Sequence, residues 1–114
     1  MTIPTLDNVR KMADEASLIP ISRKILADLE TPLSAYIKVR ANGGHTFLFE
    51  SVEGGEKIGR YSFLGVDPFL VFKSRGQAVT LTDLRSGETT SYVAEPIVEL
   101  RRLIHDHRSI PVPG

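Results

Sequence analysis

The residues best equipped for chemistry lie in Thr46–Gly65, TFLFESVEGGEKIGRYSFLG, where Glu50, Ser51 and Arg60 stand between two short apolar runs. The Glu50 carboxylate can pair an ammonium, and the Ser51 hydroxyl can donate to or accept from the same small zwitterion. The Arg60 guanidinium can hold a carboxylate in bidentate fashion, with the Tyr61 phenol as wall or hydrogen-bond partner. Each residue also has a plainer reading: Glu50 as a solvated strand end, Ser51 as the start of a turn, Arg60 as a surface side chain alternating with a buried Tyr61. Spacing alone favours the plainer readings.

Other chemistries find less support. Gly54-Gly55-Glu56-Lys57-Ile58-Gly59 has neither the P-loop spacing ending in Lys-Ser/Thr nor the dinucleotide GxGxxG, and reads as a mobile turn. The chain has no cysteine, which excludes a disulfide framework and a thiol nucleophile. His45, His105 and His107 form no recognisable metal-ligand set, and the last two complement the dipole at a helix C-terminus. Asp83 falls in a turn and Asp106 at a helix end, so spacing sets up no carboxylate pair for acid/base work. No catalytic residue and no metal site is assigned.

The elements that must position Glu50 and Ser51 follow from periodicity. Phe47-Leu48-Phe49 reads as a buried strand that ends at these two residues. Strands are expected over His45–Glu50, Arg60–Leu64, Phe69–Lys73, Ala78–Thr82 and Thr89–Tyr92, the last three joined as a meander by Arg75-Gly76-Gln77 and Arg85-Ser86-Gly87. Leu6, Val9, Met12, Ala13 and Ala16 predict an opening amphipathic helix capped by Thr5. Ile19-Pro20-Ile21 interrupts it as an extended connector or edge strand. Thr31 and Pro32 start a short helix over Leu33–Val39, and Pro96 starts a final helix over Glu95–His107. The fold class is α+β, a largely antiparallel sheet with flanking helices.

Fourteen basic and fourteen acidic residues cancel, with no block of like charge, so no footprint for nucleic acid or an anionic membrane exists. The opening residues have no apolar signal core and no apolar run approaches a membrane span, so a cytoplasmic location is expected. The 114 residues suit one domain over 1–110. The proline-rich ending Ile110-Pro111-Val112-Pro113-Gly114 reads as the start of a linker at 111–114.

Four ordered segments together carry a resemblance: Ile19-Pro20-Ile21, Asp28–Tyr36 (DLETPLSAY), Phe47–Glu53 (FLFESVE) and Gly59–Gly65 (GRYSFLG). They resemble the N-terminal region of anthranilate synthase component I. The related aminodeoxychorismate synthase large subunit of the folate branch shares much of the pattern, but the Glu-Ser-Val-Glu and Gly-Arg-Tyr-Ser-Phe set is closer to the anthranilate enzyme. A free-standing amino-acid-binding or interaction module is the alternative outside the enzyme class.

The resemblance implies a parent lyase that converts chorismate and glutamine-derived ammonia into anthranilate and pyruvate for tryptophan biosynthesis. It implies that the chorismate pocket and its Mg2+ belong to a later C-terminal catalytic region, with no cofactor in this chain, and that a glutamine amidotransferase subunit, component II, is a partner. It further implies that this region binds L-tryptophan as feedback inhibitor. Leu48-Phe49-Glu50-Ser51 matches the family's Leu-Leu-Glu-Ser motif with Phe49 in place of the second leucine, and Pro20 matches a proline beside the same pocket. Glu50 is then expected to pair the ammonium, Ser51 to hydrogen-bond the head group, and Leu48 and Pro20 to line the site. Arg60 is expected either to hold the ligand carboxylate or to hold its own loop through Glu53 or Glu56.

Overall fold

A computed structural model of the chain describes residues 2–50 and 61–109. Ser51, Arg60, the glycine-rich loop between them and the proline-rich ending lie outside the described residues. The fold is α+β, with antiparallel sheets and flanking helices. The chain divides into two compact units, one from Met1–Leu26, Phe72–Leu81 and Thr89–Gly114, the other from Ala27–Val71 and Thr82–Glu88.

In the first unit, β1 (Thr2–Ile3) pairs antiparallel with β2 (Ser22–Arg23). Helix α1 spans Leu6–Met12, with the Thr5 hydroxyl accepting from the Asn8 amide as its N-cap. The regular helix ends at Met12, and turn hydrogen bonds from the Ala13 amide to the Val9 carbonyl and from the Ala16 amide to the Met12 carbonyl carry the chain on to Ala16. The Ser17 and Leu18 amides both donate to the Arg108 carbonyl, at 3.1 and 2.9 Å. The Ser17 hydroxyl donates to the Asp106 carbonyl at 3.0 Å and accepts from the Arg108 amide at 2.8 Å, and Leu18 bridges Ser109 in parallel. Ala16 is buried beside this clip. Ile19-Pro20-Ile21 lies outside helix and strand and leads into β2.

Strands β5 (Leu70–Arg75), β6 (Ala78–Asp83) and β7 (Thr89–Val93) form a three-stranded sheet in that order, the meander that the turn signals predict. Gly76, at φ +57°, takes the left-handed first position of the two-residue turn between β5 and β6, which glycine adopts without a Cβ clash. Val79 on the central strand is the most buried large side chain described, at 1% exposure. Helix α3 (Pro96–Asp106) follows with Pro96 in its first turn. Glu99, Leu100, Leu103 and His107 recur on its less exposed side, the spacing of one helical face.

In the second unit, α2 spans Pro32–Arg40. Its start is a capping box: the Ser34 amide donates to the Thr31 hydroxyl at 3.1 Å and the Thr31 amide donates to the Ser34 hydroxyl at 2.8 Å. Glu30 tightens this end by accepting from Ser34 and pairing Lys38. The helix lies against β3 (Phe47–Glu50) and β4 (Ser62–Gly65), an antiparallel pair.

Candidate functional site

The β3–β4 register decides which side chains can act together. Phe47 opposes Gly65, Leu48 opposes Leu64, Phe49 opposes Phe63 and Glu50 opposes Ser62. Opposed residues of an antiparallel pair share a face, and side chains alternate along each strand. Leu48, Leu64, Glu50 and Ser62 therefore occupy one face, and Phe47, Phe49, Phe63 and Gly65 the other.

Phe47-Leu48-Phe49 is not the buried strand that its apolar run suggests. Leu48 is half-buried, whereas Phe49 is 65% and Phe63 62% exposed. An apolar run identifies a strand but leaves open how many of its faces are covered. On the phenylalanine face the Phe47 and Phe49 rings pack at 4.7 Å with 35° between their planes. The Phe47 ring also lies over Gly65, where a Cβ would run into it. Glycine on β4 thus permits close approach of an aromatic side chain from β3.

Of the expected site residues, Leu48 and Glu50 come together on one face of β3, with the Glu50 carboxylate exposed at the strand end. Pro20 is exposed on the segment that leads into β2 in the first unit. Ser51 and Arg60 lie outside the described residues. Tyr61 is 60% exposed rather than buried. Ser62 and Leu64 share the Leu48–Glu50 face without having been singled out from the sequence. Their signal was the alternation in Tyr61-Ser62-Phe63-Leu64, which points Ser62 and Leu64 to one side once the register is known.

The remaining polar clusters are structural in geometry. Asp83 closes the β6–β7 turn: its carboxylate accepts from the Arg85 guanidinium at 2.9 Å and from the Arg85 and Ser86 amides at 2.8 and 3.4 Å. These bonds, the Arg85 guanidinium first, hold its pKa down to about 2. Arg85 in turn stacks over the Phe69 ring at 4.7 Å. On α3, Arg102 and the Tyr92 hydroxyl both donate to Glu99, at 2.9 and 3.0 Å. Arg102 chiefly, then Tyr92, lowers the Glu99 pKa. Desolvation, then the Glu99 hydrogen bond, raises that of Tyr92.

His107 closes the end of α3, a ring nitrogen 2.8 Å from the Leu103 carbonyl. Among the described residues, no three His, Asp or Glu side chains gather as a metal site. No helix among them is long and apolar enough to cross a membrane.

The fold and this face define an α+β region with one hairpin that presents a carboxylate beside apolar side chains. Comparison with known proteins makes the relationship specific. The chain is 41% identical over 113 residues, 99% of its length, to anthranilate synthase component 1 of Synechocystis sp., of which it spans 22%. It is 34% identical over its whole length to the Acetivibrio thermocellus protein of the same name, spanning 23% of it. With that of Mycobacterium tuberculosis it shares 47% identity over 76 residues, 66% of this chain and 15% of the relative. The chain is a homologue of the N-terminal region of anthranilate synthase component 1. It spans about a fifth of the length of the two relatives that match it end to end. No protein-family model and no solved structure matches it significantly.

Proposed function

We propose that this chain is the tryptophan feedback-binding region of an anthranilate synthase component I, within a cytoplasmic enzyme that converts chorismate and ammonia or glutamine into anthranilate and pyruvate. The observation that carries the proposal is the near end-to-end alignment with relatives bearing that name. The same relationship favours the anthranilate branch over aminodeoxychorismate synthesis. Chorismate and Mg2+ would be handled by a later C-terminal region, with this region non-catalytic and a component II amidotransferase supplying ammonia.

At the inhibitor site, Glu50 pairs the tryptophan ammonium, Ser51 hydrogen-bonds the head group, and Leu48 contributes apolar wall. Arg60 holds the ligand carboxylate or its own loop. The shared face of Leu48 and Glu50 supports this division, since one ligand can meet an apolar and a charged group there. Inhibition would arise by population shift: tryptophan stabilises, through its differential affinity, the arrangement less able to bind chorismate.

The test is ammonia-dependent turnover of chorismate by the polypeptide that carries this chain, followed by anthranilate fluorescence with tryptophan titrated in. Anthranilate formation that tryptophan suppresses is expected. Formation of aminodeoxychorismate, or anthranilate formation indifferent to tryptophan, contradicts the proposal.

A further inference from the structure

The β3–β4 register sets Ser62 directly across from Glu50. Directly opposed residues of an antiparallel pair have Cβ atoms about 4.5–5.5 Å apart. Ser62 and Glu50 therefore project from the same face as direct cross-strand neighbours, with Leu48 and Leu64 two residues along it. Glu50 and Ser62 are both exposed, and neither side chain is engaged with another among the described residues. Among the described residues, this end of the face thus offers a carboxylate and a hydroxyl, contributed by two different strands.

The chemistry of a primary ammonium matches that pair. An ammonium carries three N–H donors in a tetrahedral array and accepts nothing. One carboxylate satisfies part of that array, and a hydroxyl from the neighbouring strand supplies an acceptor in a different direction. We propose that Ser62 is a further ligand-contacting residue of the amino-acid site, accepting a hydrogen bond from the ligand ammonium beside Glu50. The inference rests on the assignment of Glu50 to that ammonium. It adds that the second strand of the hairpin helps select a primary amine, so that both strands read the ligand.

The test compares Glu50→Gln, Ser62→Ala and Ser62→Thr in the full-length enzyme, each assayed for uninhibited turnover and for the tryptophan concentration that halves it. Ser62→Ala is expected to raise that concentration about tenfold, the loss of one hydrogen bond to a charged group, with uninhibited turnover within twofold of the parent. Ser62→Thr keeps the hydroxyl on a residue suited to a strand and is expected to stay within about threefold. Glu50→Gln is expected to shift it further than Ser62→Ala. A shift for Glu50→Gln with none for Ser62→Ala overturns the role of Ser62 and leaves the amino-acid site intact. No shift for either overturns the site itself. Loss of uninhibited turnover in Ser62→Ala makes the hydroxyl structural and also overturns the inference.

Discussion

Replacing Gly65 by alanine tests the hairpin geometry on which the site depends. The Gly65 backbone is not in the left-handed region, so an L-residue meets no backbone penalty there. The obstacle is the Phe47 ring, which occupies the space a Cβ needs. To admit the methyl group, the ring must swing away from Gly65 and give up its packing against Phe49. Such overpacking costs about 1–3 kcal/mol, and an aromatic pair contributes about 0.5–1.5 kcal/mol. Against this, removing a glycine restricts the unfolded chain and returns about 0.4–1 kcal/mol. The balance is a net loss centred on about 2 kcal/mol. Urea unfolding of the chain, followed by far-UV circular dichroism, reads this directly as a lower midpoint at unchanged slope. A double-mutant cycle isolates the cause: with Phe47→Ala already present, Gly65→Ala is expected to become neutral or stabilising. Equal effects of Gly65→Ala in both backgrounds, or a gain in the native one, would refute the contact between Phe47 and Gly65.

Three further outcomes are expected. Ser51→Ala should raise the tryptophan concentration for half-inhibition about tenfold while leaving uninhibited turnover nearly intact, whereas a large loss of basal turnover would make the residue structural. Thr31→Ala removes the acceptor for the Ser34 amide at the start of α2 and should cost about 1 kcal/mol in urea unfolding; no change would mean the cap is replaced by solvent. Asp83 has a folded-state pKa below its ordinary value of 3.8, so its contribution to the turn is present above that value and fades as pH falls toward about 2. The amide resonances of Arg85 and Ser86 should therefore titrate near 2, and a midpoint near 3.8 would show that the carboxylate does not hold the turn.

What was legible in the sequence was what local rules determine. Thr31 followed by Pro32 announced α2, because a capping side chain and a proline act within one turn. Gly76 announced the β5–β6 turn for the same reason. The clip that follows α1 was hidden, because it depends on Ser17 meeting Arg108 across 91 residues of chain. The two-residue strands β1 and β2 are too short to show a period. Glu50 drew attention by its residue type and position, but its neighbour Ser62 emerged only once the register was known. The exposure of Phe49 and Phe63 was equally hidden, since an apolar run fixes the element but not which of its two faces is covered.

The most direct test of the central claim is tryptophan binding and inhibition measured on one preparation of the full-length enzyme and its Glu50→Gln variant. Tryptophan should bind the parent saturably and suppress anthranilate formation over the same concentration range, with both curves displaced together by at least tenfold in the variant while uninhibited turnover is kept. Unchanged binding in Glu50→Gln, or inhibition by tryptophan that competes at the chorismate site and ignores this substitution, would contradict the account.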